Sequence, residues 1–326
     1  MTFLITGGSG FVGLNVLHRL LARGDSVVNF SLAEPPPAAG ESLAALPGTL
    51  RTVTGDLRDP RALEAAFADG GITHVLHAGV ITAGAQREAE DAAGIVAVNV
   101  AGTVNVMEAA RRHGVRRVVY PGSGAVYGAN GFSAPLLDEA RVAPNPESLY
   151  GITKLAAERI ALRYRAIAGL DVVAARLGGV FGPWEYATGQ RDTLSPILAA
   201  TRLALADGEA VLEGAGRRDW IYAPDVAEAL LFLLEWPSAP RHAVYHVAAG
   251  RSWSVAEWCT ALQARRPKFR WRLAARPEEA NVPVHWASAR APLSPARLRD
   301  EMGWSARFGM DAALADFLEG SQRHLL

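Results

Sequence analysis

A run of four glycines within eight residues, TGGSGFVG at residues 6–13, follows directly after the first apolar segment of the chain. Glycine loses more backbone entropy on folding than any other residue, so four glycines at a turn from a strand into a helix need a physical reason. Gly8, Gly10 and Gly13 have the spacing G-x-G-x-x-G, and the related spacing G-x-x-G-x-x-G begins at Gly7. Glycines have no Cβ, so their backbone amides at a helix N-terminus let a pyrophosphate approach the positive end of the helix dipole. The run therefore predicts a dinucleotide site, and a tight turn without a ligand is the alternative.

Strand-like and helix-like segments alternate through about the first half of the chain. Short apolar segments, of the kind buried on both faces of a parallel sheet, lie at residues 2–6, 26–30, 50–54, 73–78, 116–121 and 171–177. Segments with helical spacing lie between them, at residues 12–23, 62–67, 95–113 and 148–168. The alternation predicts an α/β fold with a doubly wound parallel sheet, a Rossmann fold.

The alternation fades after about residue 178, where Trp, Pro and Arg become frequent. We therefore expect residues 1–177 to form an NAD(P)-binding Rossmann domain. Residues 178–326 are expected to form mainly a smaller substrate-binding lobe, with some segments returning to the Rossmann domain. One biased stretch, AEPPPAAGESLAALPG at residues 33–48, predicts a surface loop.

Charge and cysteine content exclude several classes of partner. Lys+Arg and Asp+Glu are equal at 33 each, so no overall field attracts nucleic acid or a membrane surface, and small molecules are the expected partners. The single cysteine, Cys259, cannot form an internal disulfide. It follows Ser254 and Glu257, which have capping-box spacing, so we expect a buried thiol on a helix. No apolar run reaches membrane-spanning length and no basic leader precedes the first strand, so the cytoplasm is the expected location.

The end of the second predicted strand favours NAD over NADP. Dinucleotide sites usually place an acidic residue there to bind the adenosine ribose hydroxyls, whereas this chain has Ser31, with Glu34 just beyond it. A 2′-phosphate would need a cation, and no Lys or Arg occurs between Arg23 and Arg51. We therefore expect NAD as the cofactor, with NADP as the remaining alternative.

The motif GDLRD follows the third predicted strand. Asp56 and Leu57 of this motif are in a position to border the adenine of the cofactor. The alternative is that Asp56 caps the helix that begins near Pro60.

The stretch YGITK places Tyr150 and Lys154 four residues apart on a predicted helix, hence on one face. An ammonium about 4 Å from a phenol contributes about 4 kcal/mol at an effective dielectric constant of about 20, which would lower the phenol pKa by up to about three units. Tyr150 could then exchange a proton with a substrate hydroxyl near neutral pH. Ser123 follows another predicted strand, at the carboxyl edge of the sheet, where a hydroxyl can orient the substrate oxygen. Taken singly, such a pair is more often an incidental helix pair, and such a serine is more often a turn residue.

These residues stand in a set of motifs that resembles the extended short-chain dehydrogenase/reductase family, which includes NAD-dependent epimerases and dehydratases such as UDP-galactose 4-epimerase. The resemblance covers nearly the whole chain, through the glycine run and the stretches GDLRD, NVAGTVNVMEAA, SGAVYG, YGITK, ARLGGVFGP, RRDWIYAPDVAEAL and LRDEMGW. It implies that Ser123, Tyr150 and Lys154 form a catalytic triad in which Lys154 also binds the nicotinamide ribose.

The residue patterns and the resemblance together give an expected cofactor-binding set. Its members are Gly7, Gly10, Phe11, Val12, Gly13, Ser31, Asp56, Leu57, Ala78, Gly79, Asn99, Tyr150 and Lys154. By resemblance, Arg218 matches a position that meets a phosphate in sugar-nucleotide enzymes. A surface salt bridge between Arg218 and Asp219 is the alternative.

Two departures from the family pattern narrow the expected reaction. Family dehydratases carry an Asp-Glu pair directly after the hydroxyl residue, and Gly124 and Ala125 occupy those places here, which disfavours elimination of water. An asparagine that helps the family bind a sugar nucleotide is replaced by Gly179, which weakens the case for a UDP-sugar.

The substrate pocket is therefore expected to be built from other residues than in the family pattern. Trp184 and Glu185, with Arg191, lie just past the carboxyl end of a predicted strand, where they could line a substrate cleft. The alternative for Trp184 is packing inside the lobe, since a tryptophan is usually largely buried. The expected substrate-binding residues are Thr82, Ser123, Trp184, Arg191 and Arg218.

The expected function is NAD(P)-dependent oxidoreduction, with a hydride moved between nicotinamide and a secondary hydroxyl carbon of a carbohydrate-like substrate. One alternative is a nucleotide-sugar 4-epimerase with tightly held NAD, and another is a non-catalytic cofactor-binding regulator. No metal is expected. By kinship, the helices predicted at residues 95–113 and 148–168 would form a homodimer contact.

Overall fold

The computed structural model of the protein describes residues 1–284 and 289–324. Its strands are β1 Thr2–Thr6, β2 Ser26–Ser31, β3 Thr49–Thr54, β4 Ile72–His77, β5 Arg117–Ser123, β6 Val172–Leu177, β7 Gly179–Phe181, β8 Glu209–Leu212, β9 Trp220–Tyr222, β10 Val244–Val247 and β11 Arg270–Leu273. Its α-helices are α1 Phe11–Ala22, α2 Pro37–Ala44, α3 Pro60–Phe67, α4 Ala85–Glu90, α5 Ala92–Val96, α6 Gly102–Arg112, α7 Leu149–Ala168, α8 Pro196–Leu205, α9 Ala223–Glu235, α10 Val255–Arg265, α11 Ala296–Met302 and α12 Met310–His324. A π-helical turn, Ala97–Ala101, joins α5 to α6, and 3-10 helices lie at Gly124–Phe132 and Pro277–Glu279.

Seven strands of the described residues form one parallel sheet, in the order β10-β6-β5-β4-β1-β2-β3. Phe3 of β1 lies beside Val27 of β2 on one side and His74 of β4 on the other. The chain leaves β1 toward β2 and later returns to β4 on the opposite side, so a crevice opens between the loops at the carboxyl edge. The predicted doubly wound α/β fold is confirmed, and Val244–Val247, from the C-terminal half, supplies an edge strand.

The central strands are buried on both faces, as parallel strands must be when helices cover both sides of the sheet. Leu14, Leu17 and Leu21 form an apolar face of α1 that is fully buried. This helix packs against α9, where Leu230 and Leu234 belong to the same core cluster. The packing fixes the N-terminus of α1 beside the end of β1.

Residues 33–48 contain the eight-residue helix α2, so the predicted surface loop is wrong for half of that stretch. Pro37 stands in the first turn of α2, where its fixed φ and missing N–H are compatible with the start of a helix. Ala39 and Leu43, four residues apart and hence on one face, are buried in the core cluster that includes Leu17. Tertiary contacts through this short apolar face therefore hold the helix despite the prolines that precede it.

The remaining strands form two small parallel pairs, β7 with β9 and β8 with β11. Phe181 of β7 lies at the centre of an aromatic cluster, with the rings of Trp220, Trp253 and Trp258 at 6.4, 5.4 and 5.3 Å. These rings belong to a core cluster that also includes side chains of α8, α10 and α12. The C-terminal half thus has a hydrophobic core of its own.

The predicted capping box and buried thiol are confirmed at the start of α10. Ser254 Oγ accepts a hydrogen bond from the amide of Glu257 at 3.1 Å, and the Glu257 carboxylate accepts one from the amide of Ser254 at 2.7 Å. Cys259 is fully buried, and burial raises the pKa of its thiol to about 12. This cysteine therefore acts as a small apolar packing group.

One helical stretch, Ala92–Arg112, is long and apolar enough to cross a membrane, with a mean hydropathy of 1.4. The expectation that no apolar run reaches that length is therefore wrong. The stretch combines α5, the π-helical turn and α6, which pack against α3 and α7. Helices that pack in the core of a fold meet the same criteria of length and hydropathy.

Candidate active site

The turn from β1 into α1 has the geometry that the glycine run predicts. Gly7 has a φ of +69°, and a Cβ there would lie 2.7 Å from the backbone of Gly79. A Cβ on Gly13 would collide with the carbonyl oxygen of Gly7. Gly10 is the N-cap of α1 and provides no side-chain cap, whereas the side chain of Ser148 caps α7. The start of α1 thus offers backbone amides and its dipole, rather than a side chain, to an anion.

A cleft of about 200 Å³ lies against this turn. The predicted cofactor-binding residues that line it are Gly7, Gly10, Phe11, Val12, Gly13, Ser31, Asp56, Leu57, Ala78 and Gly79. Its walls come from the loops after β1, β2, β3 and β4, as a dinucleotide site at the switch point of a doubly wound sheet requires.

Ser31 is held at the end of β2 by a buried hydrogen-bond network. Its hydroxyl donates to Asn29 Oδ1 at 2.8 Å and accepts from the amide of Ser9 at 3.0 Å. The Ser9 hydroxyl in turn donates to the carbonyl of Ala33 at 2.7 Å. Ser31 thus joins the strand end to the glycine turn, while Glu34 is exposed and lies outside the residues that line the cleft.

Asp56 lines the cleft without capping α3. Its carboxylate accepts hydrogen bonds from the Arg58 guanidinium, which is the main reason that the pKa of Asp56 is lowered. The N-cap of α3 is Asp59, whose side chain accepts a hydrogen bond from the amide of Arg61 at 2.9 Å. The capping alternative for Asp56 is therefore wrong.

A larger cavity, of about 650 Å³, adjoins the cleft. The residues that line both are Val12, Ala78, Val80, Thr82 and Arg191. Ser123, Tyr150, Lys154 and Arg218 line the larger cavity. The structure therefore brings the three residues of the implied triad together beside the cleft.

Tyr150 lines the larger cavity together with Ser123 and Thr82. Burial raises the pKa of the Tyr150 phenol and is the dominant effect, while the hydroxyls of Ser123 and Thr82 and the positive charge of Arg191 lower it. Ser123 Oγ also accepts a hydrogen bond from the amide of Ala125 at 3.1 Å, which fixes its side chain at the start of a 3-10 helix. Three hydroxyl groups thus converge at the boundary of the two cavities.

The ammonium of Lys154 is held by β5. Its Nζ donates to the carbonyl of Pro121 at 2.6 Å and lies 4.3 Å from the centre of the Tyr120 ring. Burial lowers the pKa of this ammonium to about 7, and the negative charge of Glu158 opposes the shift. The expectation that Lys154 lowers the pKa of Tyr150 is therefore wrong, because a shared helix face does not fix where a long, flexible side chain ends.

Two predicted ligand-binding residues lie outside the lining of both cavities. Asn99 is 2% exposed, and its side-chain amide bonds to both backbone groups of Ile81 and to the hydroxyl of Thr153. It therefore braces the loop after β4. Trp184 is 2% exposed and stacks on the ring of His18 in α1, with the centroids 4.9 Å apart. The structure thus corrects the predicted ligand contacts of Asn99 and Trp184, and favours the packing alternative for the tryptophan.

Arg191 lies at the junction of the cleft and the cavity. Its Nη2 donates to Glu185 Oε1 at 2.8 Å, and its guanidinium carbon lies 5.2 Å from the centre of the Phe11 ring. Its Nε is buried and makes no hydrogen bond within the described residues. Glu185 is buried and also accepts from the amide and hydroxyl of Ser195, so it anchors the arginine instead of lining the cavity.

Sequence reasoning missed Arg290, which lines the same cavity as Arg218. Arg290 Nη1 donates to the carbonyl of Gly124 at 2.9 Å, and its buried Nε makes no hydrogen bond in the part of the chain that the structure describes. Burial, and then the charge of Arg290, lower the pKa of Arg218 to about 10. Asp219 is buried and its carboxylate accepts three backbone N–H bonds, so the alternative of a surface salt bridge is wrong.

Several known proteins are similar to this chain in sequence and in architecture. The chain is 33% identical over 243 residues to UDP-glucuronate 4-epimerase 3 of Arabidopsis thaliana, which covers 71% of this chain and 54% of that protein. The chain thus spans about half the length of the Arabidopsis relatives. It is 28% identical over 338 aligned positions to the UDP-glucose 4-epimerase of Erwinia amylovora, covering 97% of this chain and 96% of that protein.

A solved structure, MoeE5 in complex with UDP-glucose and NAD, is 27% identical and matches with a TM-score of 0.76 over 100% of both chains. The model of the NAD dependent epimerase/dehydratase family matches residues 3–248. These residues include the glycine turn, the residues of the implied triad and every motif that suggested the resemblance except LRDEMGW, which lies beyond residue 248. The chain belongs to the NAD-dependent epimerase/dehydratase family.

Proposed function

We propose that the protein is a nucleotide-sugar 4-epimerase that uses NAD and inverts a secondary hydroxyl carbon by reversible oxidation. The observation that carries the proposal is the position of Tyr150, which lines one cavity with Ser123 and Lys154 where that cavity adjoins the cleft. Relatives named as UDP-glucose and UDP-glucuronate 4-epimerases support this reaction over that of a simple dehydrogenase. A non-catalytic regulator would have no physical need for these three side chains at one boundary.

NAD fits the cleft beside the glycine turn. A Cβ at Gly7 or Gly13 would crowd the neighbouring backbone, and their absence lets a pyrophosphate approach the start of α1. Ser31 and Asp56 would lie beside the adenosine, and Lys154 would bind the nicotinamide ribose. When bound, NAD accepts a hydride from the substrate carbon and returns it to either face of the resulting ketone.

The side chains of the protein hold and move the hydroxyl proton. Tyr150 takes the proton from the substrate hydroxyl and later gives it back, first as a general base and then as a general acid. The nearby hydroxyls of Ser123 and Thr82 favour the phenolate and offset part of the effect of burial on the pKa of Tyr150. Lys154 adds a positive charge to the same cavity below its pKa of about 7.

A nucleoside diphosphate fits the two arginines of the cavity. Burial lowers the pKa of both Arg218 and Arg290, so the cavity holds two partly desolvated cations. A bound diphosphate would offset that cost through charge-assisted hydrogen bonds. Gly124 and Ala125, in the wall of the cavity, supply no acid to protonate a leaving hydroxyl, so the proposal excludes dehydration by the family's Asp-Glu pair.

The proposal is tested by incubating the protein with NAD and either UDP-glucose or UDP-glucuronate. Product is identified by NMR while the absorbance of NADH is followed. Formation of the C4 isomer without stoichiometric NADH supports the epimerase, whereas NADH that grows in step with substrate consumed identifies a dehydrogenase. Tyr150→Phe is expected to abolish turnover, and Tyr164→Phe serves as the matched control because that phenol donates to Glu108, outside both cavities.

We also infer a homodimer formed through α5 and α7. Val96 on α5 and Ile152 on α7 are 42% and 46% exposed, and the two helices contact each other, so an apolar surface lies along their junction. Ile152→Glu is expected to give monomers by light scattering with unchanged circular dichroism. A cytoplasmic location is supported by the single, buried cysteine and is tested by cell fractionation.

A further inference from the structure

We infer that Tyr127 and His246 are positioning residues, which join the carboxyl end of β5 to the segment at residues 290–293 in the wall of the larger cavity. The proposed reaction uses neither side chain, although both are fully buried. Together with Glu158 and Arg176 they form what we call the buried network, whose members come from α7, β6, a 3-10 helix and β10. The inference rests on the proposed function, because its effect is measured on that reaction.

The buried network begins on α7, one turn after the lysine of the triad. Arg176 donates to both carboxylate oxygens of Glu158, at 2.9 and 2.7 Å. A Cβ on Gly122 would lie 3.3 Å from Arg176 Cγ and 3.4 Å from Glu158 Oε2, so this ion pair packs over the end of β5. Gly122 directly precedes Ser123, and the carbonyl before it accepts the hydrogen bond from Lys154 Nζ. The pair thus supports the backbone that carries Ser123 and anchors Lys154.

The register of the sheet continues the network toward its edge strand. Gly122 of β5 lies beside Arg176 of β6, and Arg176 lies beside His246 of β10. Tyr127 lies in the 3-10 helix that Ser123 caps. Arg176 Nη1 donates to the Tyr127 hydroxyl at 2.8 Å, and that hydroxyl donates to His246 Nε2 at 2.6 Å. The phenol therefore joins the two strands to the helix that follows Ser123.

The direction of each hydrogen bond follows from its chemistry. An arginine can only donate, so the single proton of the Tyr127 hydroxyl goes to His246 Nε2. His246 Nδ1 lies 3.1 Å from the carbonyl oxygen of Ser294, which can only accept, so Nδ1 carries the ring proton. The Glu139 carboxylate accepts from the amide of His246 at 2.7 Å and lies 3.6 Å from Nδ1. This neutral ring agrees with burial, which lowers the pKa of His246 to about 3.

The far end of the network holds the wall of the larger cavity. Ser294 directly follows the segment from which Arg290 and Leu293 line that cavity. The amide of Ser294 donates to the carbonyl of Leu137 at 2.7 Å. Leu293 and Leu137 belong to a small core cluster that also includes Tyr127. A change in the network should therefore reach this wall and the end of β5 together.

Removing one hydroxyl should break the connection without unfolding the chain. Tyr127→Phe leaves Arg176 and His246 without the group that joins them, and a partly satisfied buried network is unfavourable. Arg176 keeps both bonds to Glu158, so its charge stays paired. Small shifts of the substrate wall relative to Ser123 should then lower kcat by about tenfold, since catalysis depends on close alignment of the reacting groups.

The first measurement is kcat per folded molecule of the NAD-loaded protein, with UDP-glucose and UDP-glucuronate as substrates. Tyr127→Phe and His246→Leu are expected to cause similar losses, and the double variant should lose no more than either, because both break one connection. His246→Gln keeps an acceptor for the phenol and should recover most of the rate. Tyr245→Phe is the matched control, since this equally buried phenol of β10 donates to Glu301, outside both cavities.

The second measurement does not depend on the proposed reaction. Hydrogen exchange with mass spectrometry should show faster exchange at residues 121–130 and 289–296 together in Tyr127→Phe and His246→Leu, and at neither segment in Tyr245→Phe. The inference is overturned if kcat is unchanged in Tyr127→Phe, if Tyr245→Phe lowers it equally, or if only one segment exchanges faster. Failure of the wild type to epimerise either sugar would overturn the proposed function, and the exchange measurement would still decide the inference.

Discussion

Lys154 and Tyr120 contact each other at two points, which ties the lysine of the proposed triad to β5. The Lys154 ammonium lies 4.3 Å from the centre of the Tyr120 ring, and the Tyr120 hydroxyl donates to the Lys154 carbonyl at 3.4 Å. Tyr120 is buried, so the attraction between cation and ring is little screened by water. The ring thus favours the protonated lysine, against the burial that lowers its pKa to about 7.

Tyr120→Leu is expected to lower the pKa of Lys154, because it removes the face of the ring. If the protonated lysine supports turnover, the basic limb of the kcat profile moves to lower pH by up to about one unit, the equivalent of about 1.4 kcal/mol. Tyr120→Phe keeps the ring and should leave the limb in place. Equal shifts of the basic limb in both variants, or no shift in Tyr120→Leu, would show that the ring does not set the pKa of the Lys154 ammonium.

Lys154→Met is expected to stabilise the protein, and most strongly at low pH. The folded-state pKa of about 7 lies below the ordinary 10.5, so the unfolded state binds more protons between these values, and stability of the wild type rises with pH across that window. The gain from methionine should therefore be constant below pH 7 and shrink toward 10.5. Urea denaturation from pH 6 upward in steps of about one unit measures it. A gain that does not vary with pH would contradict a buried, titrating ammonium.

Asn99→Ala is expected to destabilise the fold, since it leaves the backbone groups of Ile81 without their side-chain partner. Each buried group left unsatisfied costs about 1–3 kcal/mol. Urea denaturation of the cofactor-free protein should detect the loss. A drop in NAD affinity without any loss of stability would instead support the predicted direct contact between Asn99 and the cofactor.

Trp184→Ala is expected to act on stability and not on substrate recognition. Removing a buried tryptophan costs about 3–5 kcal/mol, because a cavity is left beside His18. Trp271, which is only partly buried on β11, gives a matched Trp→Ala control with a smaller loss. Thermal unfolding and UDP binding distinguish the outcomes: weaker UDP binding with an unchanged melting temperature would mean that Trp184 reaches the ligand.

The parts of the fold that depend on local pattern could be predicted from sequence. The glycine turn and six of the seven strands of the sheet follow from spacing and apolar runs, whereas the edge strand β10 was not predicted. The capping box at Ser254 follows from two residues three apart. Helix α2 could not be predicted, because only its contacts with the core outweigh the prolines around it. A tryptophan that follows a strand, such as Trp184, can face either the ligand or the core, and the surrounding sequence does not show which orientation it takes.

The candidate site was predictable to the same degree. Ser123, Tyr150 and Lys154 were expected together and do line one cavity. Where the Lys154 ammonium ends depends on Tyr120 and Pro121, which are distant in sequence, so spacing along α7 could not place it. Arg290 lies outside regular structure in an arginine-rich chain, and only the folded structure shows that it lines the same cavity as Arg218.

The most direct test of the proposed reaction uses UDP-glucose labelled with deuterium at C4, incubated with the protein and unlabelled NAD. An epimerase that returns the hydrogen to the carbon it came from should give the C4 isomer with the label retained and no net NADH. Label that accumulates in reduced cofactor as the sugar is consumed, with no C4 isomer formed, would contradict the proposed reaction.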